Sequence, residues 1–286
     1  RDTSRGLVGS EMCIRDMVAA MEDPNPAVSG EGMRFLQRAG IQAQTGLLEA
    51  EARRLNAGFI CRMTRGVPRV TVKIASSLDG RTAMASGESH WITGPDARED
   101  VQRLRASSSA ILTGIGTVLA DDPSMNVRSS GIDTAGRQPL RVVADSRLRM
   151  PPDARMLSLP GRTLIVFAGE ASNADLEAAG AELLNCPGAN GQVDLTAMLR
   201  ALGERQCNDL LVEAGPRLSG AMLSAGLADE IVIYMAPHLM GDTARGMFTL
   251  PGLEKLADRV QLRIRDMRMV GGDLRIRAQI RENRTD

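Results

Sequence analysis

Asp209–Gly226, DLLVEAGPRLSGAMLSAG, reads as a strand, a turn and a helix in one piece. Leu210, Leu211 and Val212 form an unbroken apolar run, as expected of a strand covered on both faces. Glu213 stands at its exit. Gly215-Pro216 then opens a helix, because proline at the first helical position lacks only an N–H that would have no partner anyway. The free N–H groups of such a helix start favour an anion, a phosphate above all.

The same alternation extends outward. Strands are predicted at 70–76 (VTVKIAS), 110–114 (AILTG), 139–146 (PLRVVADS), 163–169 (TLIVFAG) and 230–237 (EIVIYMAP). Helices are predicted at 94–108, 173–180 and 194–205. Strands separated by helices imply an α/β fold, with a mostly parallel sheet flanked by helices on both faces. RIRDMRMV and DLRIRAQI, joined across Gly271-Gly272, predict an antiparallel hairpin at one edge.

Upstream the pattern is shorter. MVAAMED (17–23) is expected as a short buried strand, EGMRFLQRAG (31–40) as a helix closed by Gly40, IQAQTG (41–46) as a strand, and 47–63 as one helix. Residues 17–66 make too little core to stand alone and are expected to be the end of a larger domain. The basic, Pro-containing TRGVPRV links them to a second unit at 67–286. Residues 1–16 lack a signal-peptide core and any periodicity, and are expected to be a foreign leader.

The chain has 286 residues, with 35 Lys+Arg against 35 Asp+Glu. Zero formal charge and only 2% aromatics argue against a nucleic-acid surface. No apolar run reaches membrane-spanning length. Cys13, Cys61, Cys186 and Cys207 form no C-x-x-C pair, which fits a reduced, cytoplasmic compartment.

In an open α/β sheet, ligands bind beyond the carboxyl ends of the strands. Gly114 and Gly116 begin the dinucleotide fingerprint, but Leu119 stands where its third glycine belongs. A dinucleotide would therefore need a different loop set. Lys73, in an apolar strand, requires an anionic partner or a ligand. Asp121 precedes Asp122-Pro123; adjacent carboxylates raise each other's pKa, which suits one of them to proton transfer, although Asp-Asp-Pro is more often a plain turn. Arg105 and Arg128 suit two-point phosphate binding, and a helix-end cation is the ordinary alternative for Arg105.

Residues 72–128 (VKIASSLDGRTAMASGESHWITGPDAREDVQRLRASSSAILTGIGTVLADDPSMNVR) and 212–241 (VEAGPRLSGAMLSAGLADEIVIYMAPHLMG) resemble the reductase half of the RibD family, the bacterial bifunctional deaminase/reductases of riboflavin biosynthesis. The resemblance runs from about Val18 to Ile280. It implies a dihydrofolate-reductase-like fold and NADPH-dependent reduction of 5-amino-6-(5-phosphoribosylamino)uracil, a phosphoribosylated pyrimidine. It implies substrate contacts at Ser89, Arg105, Met125 (through its backbone), Arg128 and Glu213. Cofactor contacts are implied at Ala75, Trp91, Thr117, Asp121, Ser146 and the loop Gly215, Pro216, Arg217, Leu218, Ser219, Gly220 and Ala221. Asp121 and Lys73 are expected to carry the polar chemistry at the sugar. A core anchor is the competing role for Trp91, a salt bridge for Glu213, and a solvated turn for Ser146 with Arg147.

Residues 17–66 resemble the end of the family's cytidine-deaminase-like half. No H-x-E pattern accompanies His90 or His238, so zinc and deaminase activity are expected to be absent. His90 and His238 depart from the family's usual residues. A homodimer is the assembly the resemblance implies. An inactive fragment or substrate-binding module, and an enzyme of the dihydrofolate reductase type, are the alternatives.

Overall fold

The computed structural model describes residues 15–170 and 172–281; residues 1–14 of the expected leader lie outside them. Residues 69–280 are built on near-continuous apolar strands whose successive residues face opposite sides. Leu112 packs into one core and Ile111 into the other, and the same split separates Val142 from Val143, Leu164 from Ile165, and Leu210 from Leu211. Both faces are covered, as parallel strands require.

The elements of this part follow in order. They are β3 (Arg69–Ser77), β4 (Arg81–Ala83), α4 (Pro95–Ser107), β5 (Ala110–Gly114), α5 (Ile115–Asp121), β6 (Leu140–Ala144), α6 (Arg155–Ser158), β7 (Thr163–Phe167), α7 (Ala174–Ala178) and β8 (Ala181–Asn185). Then come α8 (Leu195–Glu204), β9 (Asp209–Val212), α9 (Pro216–Ser224), β10 (Glu230–Ala236), β11 (Arg245–Gly246), β12 (Leu262–Val270) and β13 (Asp273–Ile280).

One nine-stranded sheet holds most of them, in the order β12-β13-β10-β3-β9-β5-β6-β7-β8. From β10 to β8 every pairing is parallel. β13 runs antiparallel to β10 and β12 to β13, so the expected edge hairpin is present. The chain lays β5, β6, β7 and β8 outward from β3, leaving one gap. β9 returns to fill it, between β3 and β5. That reversal is the switch point at which such sheets open a ligand crevice. The α/β class and the mostly parallel, helix-flanked sheet are as expected.

Residues 16–65 contribute β1 (Asp16–Ala19), α1 (Glu31–Arg38), β2 (Gln42–Thr45), α2 (Glu49–Leu55) and α3 (Ala57–Arg65), with β1 and β2 parallel. Two expectations fail here. The strand at 17–23 is not buried: Met17 and Val18 are exposed, because two strands alone give neither face a full cover. The single helix at 47–63 is two helices. Asn56 breaks it at φ −103°, its side-chain Nδ2 donating to the Ala52 carbonyl at 2.9 Å, the local competition with helix that asparagine favours. Gly40, at φ 77°, follows α1 in the left-handed conformation expected of it.

No helix among the described residues is long and apolar enough to cross a membrane. No group of three or more His, Cys, Asp or Glu among them is placed to hold a metal ion.

Candidate active site

The parallel strands deliver their exits to one edge of the sheet. β3 alternates, with Val70, Val72 and Ile74 in the core and Thr71, Lys73 and Ala75 half-buried on the other face. β9 ends beside β3 with Val72 opposite Val212, which sets Glu213 near Lys73. α4 runs across this region, and its last turn brings in Arg105, only 8% exposed.

These three side chains form one buried cluster. Arg105 donates from Nε to Glu213 Oε1 at 2.6 Å and from Nη2 to Glu213 Oε2 at 3.0 Å. Its Nη1 donates to the Asn126 carbonyl at 3.0 Å. Lys73 Nζ lies 3.9 Å from Glu213 Oε2. Burial pushes the Glu213 carboxyl up, but Arg105, with Lys73 and Arg128, more than offsets this and holds it below the ordinary carboxylate range. Burial pushes the Lys73 amine down. Glu213 offsets part of that, and Arg105 adds to it. Burial and the nearby Arg105 push the Arg128 guanidinium down as well.

One carboxylate therefore faces three cations, which suits an incoming dianion. Arg105 has three of its five N–H groups engaged, so its fork is turned to Glu213 rather than open to a ligand. Arg128 is the more exposed of the two arginines; its Nη1 makes a 3.4 Å contact with Asn126 Oδ1.

The loop carrying Arg128 is fixed by its backbone. Gln102 Oε1 accepts from Arg128 N at 3.1 Å, and Gln138 brackets Val127, accepting from its N at 2.8 Å and donating to its O at 3.0 Å. Met125 is left-handed at φ 47° with its side chain in the core, 3% exposed, so only its backbone is placed to meet a ligand.

Asp121 closes α5. Its Oδ1 lies 3.2 Å from His90 Nε2. Asp122 turns away in a left-handed C-cap and accepts from Arg155 N at 2.8 Å. The two adjacent carboxylates thus have separate partners. Ser89, half-buried, and Trp91 flank His90 on the segment between β4 and α4. Trp91 is 67% exposed and so is no core anchor. Its ring meets the His90 ring edge-on at 5.1 Å, and the Arg98 guanidinium lies 4.7 Å from its centroid.

The positions expected to contact a dinucleotide lie at neighbouring strand exits. Gly215 caps α9 without a side-chain hydrogen bond, and Pro216 follows at its start. The first N–H groups of the helix remain available to an anion. A Cβ built on Gly215 or Gly116 meets no atom within 4 Å, so there is open room beside both. Leu218 lies 3.5 Å from the Cβ position of Gly114, which joins the start of α9 to the β5–α5 corner where Thr117 sits. Arg217 and Ala221 are exposed. Ser219 is fully buried, donating to the Ala214 carbonyl at 3.3 Å. Gly220 packs on the backbone of Thr249. Ser146 follows β6, and its hydroxyl accepts from Val193 N at 3.2 Å. This donor set, with an uncapped helix start and open space beside it, fits a dinucleotide phosphate.

Three participants were not expected from the sequence: His90 on Asp121, Arg98 on Trp91, and the Asn126 carbonyl on Arg105. His90 stands between two expected site residues, which is a readable signal. The Asn126 contact is made by backbone and leaves no trace in residue type.

A model of the RibD C-terminal domain matches residues 68–276. The chain is 49% identical over 270 residues to the riboflavin biosynthesis protein RibD of Escherichia coli K12, covering 91% of this chain and 73% of that one. Acinetobacter baumannii RibD, form 1, superposes with a TM-score of 0.86 at 42% identity, over 94% of this chain and 73% of that chain. A Thermotoga maritima diaminohydroxyphosphoribosylaminopyrimidine deaminase/5-amino-6-(5-phosphoribosylamino)uracil reductase gives 0.79 at 27% identity, over 93% and 71%.

Proposed function

The chain belongs to the RibD C-terminal domain family of riboflavin biosynthesis, and from that premise we propose that it reduces 5-amino-6-(5-phosphoribosylamino)uracil to the ribitylamino product with NADPH. The observation that carries this is the buried cluster of Lys73, Arg105 and Glu213 with Arg128 at the switch point of the sheet. NADPH, when bound, supplies hydride to the sugar C1′.

The chain's own residues supply the rest. Arg128 binds the ribose phosphate, helped by the N–H groups Arg105 has left over, by Ser89 and by the Met125 backbone. Glu213, held ionised by its cations, accepts hydrogen bonds from the substrate, and Lys73 orients the same end. Asp121 delivers a proton to the ring oxygen as the C1′–O bond opens. Thr117, Ser146 and the loop Gly215, Pro216, Arg217, Leu218, Ser219, Gly220 and Ala221 hold the cofactor, Gly220 and Ser219 by fixing the loop. Ala75 leaves room for the nicotinamide, and Trp91 covers one side of it.

A dihydrofolate-reductase-type enzyme and an inactive substrate-binding module are not favoured, since the family match extends across the reductase unit. The working form in this reading is a cytoplasmic homodimer, supported by the outer edge of β12, unpaired among the described residues, with its exposed Ile264, Met267 and Met269.

The test follows loss of the reduced-nicotinamide absorbance with the phosphoribosylaminouracil substrate. The unmodified chain is expected to turn over, and Asp121→Asn to lose roughly 10²–10⁴ in kcat. Turnover by Asp121→Asn at the unmodified rate removes the proton-donor assignment. No turnover by the unmodified chain with NADPH bound removes the activity.

A further inference from the structure

His90 is exposed, has no role in core packing, and yet lies against the residue assigned to proton transfer. Its Nε2 is 3.2 Å from Asp121 Oδ1, and its ring is steadied by the edge of Trp91 at 5.1 Å, itself covered by Arg98 at 4.7 Å. Four side chains from three segments thus form a line from α4, through the 84–94 segment, to the end of α5. The His90 side chain is 54% exposed and that of Asp121 29%, so water reaches the imidazole more freely than the carboxylate.

We propose that His90 is a positioning residue for the reduction, holding the Asp121 carboxylate in place and passing it the proton that the reaction consumes; this rests on the function proposed above.

The balance of the step is simple. Hydride arriving at C1′ forms a C–H bond, the C1′–O bond breaks, and its electron pair goes to the ring oxygen. Asp121 gives that oxygen a proton. The His90 imidazolium then returns a proton from Nε2 to Asp121 Oδ1, and the neutral imidazole takes another from water. The charged groups facing the imidazole are Asp121 from α5 and, across the Trp91 ring, Arg98 from α4. An imidazole suits this relay because it can carry a proton at either ring nitrogen.

The experiment compares the full chain with His90→Ala and His90→Gln, each also in the Asp121→Asn background. His90→Ala is expected to lose about ten-fold in kcat, a fraction of a general acid's contribution, with both KM values unchanged within two-fold. His90→Gln keeps an N–H donor to Asp121 but cannot pass a proton on, so it should hold both KM values and recover only part of kcat. In the Asp121→Asn background, His90→Ala should have no further effect.

Any of three results overturns the inference: full kcat in a folded His90→Ala, the same fold loss on both backgrounds, or full kcat in His90→Gln. Unmodified turnover in Asp121→Asn alone instead overturns the role given to Asp121.

Discussion

Lys73 is a side chain that the fold holds at a cost to stability. A lysine on a half-buried strand face loses water, and Glu213 at 3.9 Å restores only part of it. Its amine is held below the ordinary lysine range, so the charged form is disfavoured by the fold at neutral pH. That penalty is present below the lowered pKa and fades as pH rises toward the unfolded value. Lys73→Met is therefore expected to keep or raise the melting temperature while activity falls at least a hundred-fold, by the size of a lost electrostatic contact. Glu213→Ala should act oppositely on stability, stranding Arg105 in the interior. Removing one partner of a buried pair costs about 3–5 kcal/mol, and each kcal/mol lowers the melting temperature of a chain this size by about 2–4 °C. Glu213 has a depressed carboxyl, so its contribution is complete above the unfolded carboxylate range and is lost as pH falls below it. Thermal melts of both variants at neutral and acid pH check these signs.

That Lys73 needs an anion was legible, because an ammonium inside an apolar run is costly until an opposite charge or a ligand meets it. That the anion is Glu213, and that Arg105 shares it, was not legible. Arg105 and Glu213 are far apart in the chain and meet only because β9 enters the sheet beside β3.

Among the elements, α9 joins packing to the proposed function most directly. Its Gly215-Pro216 start was readable, since both residues have fixed local meanings at a helix N-terminus. The closeness of its first turns to the 247–250 segment was not. Thr249 N donates to the Pro216 carbonyl at 3.0 Å, and a Cβ on Gly220 would fall 2.0 Å from the Thr249 carbonyl oxygen. The obstacle is backbone, so the helix itself has to shift. Gly220→Ala is expected to cost roughly 1–3 kcal/mol, as overpacking does. It should also weaken NADPH binding while leaving phosphate binding at Arg128 unchanged, because only the cofactor loop is displaced. Calorimetric titration with NADPH and with inorganic phosphate separates the two. β4, β8 and β11 escaped the sequence reading for a related reason. Two of them are only two or three residues long, and β8 alternates weakly along the sheet's outer edge, so their pairing comes from neighbours rather than from a strong pattern of their own.

Across the whole molecule, the sheet ends differently on its two sides. β12 exposes Ile264, Met267 and Met269 at 61–62% on a strand with one edge unpaired among the described residues. Such an edge is a template for pairing with another chain, and the arginines around it are the usual protection against indiscriminate pairing. If β12 is the homodimer contact, Ile264→Lys with Met267→Lys should halve the mass in sedimentation velocity and leave the melting temperature of the separated protomer within a few degrees. An unchanged dimer places the contact elsewhere, and a monomeric unmodified chain removes the homodimer.

The sequence by itself determined the order and kind of most elements, the parallel character of the sheet, and the residue types suited to a phosphorylated substrate. Apolar runs, helical spacing and Gly-Pro signals are local, and they act within a few residues of where they are written. Only the tertiary structure decided which strand lies beside which. Placing β9 between β3 and β5 brings Glu213 to Lys73 and Arg105, and folding the 84–94 segment against α5 brings His90 to Asp121. Such pairings depend on register and crossover over long sequence separations, where burial strengthens charge and excludes water, and no local pattern encodes them.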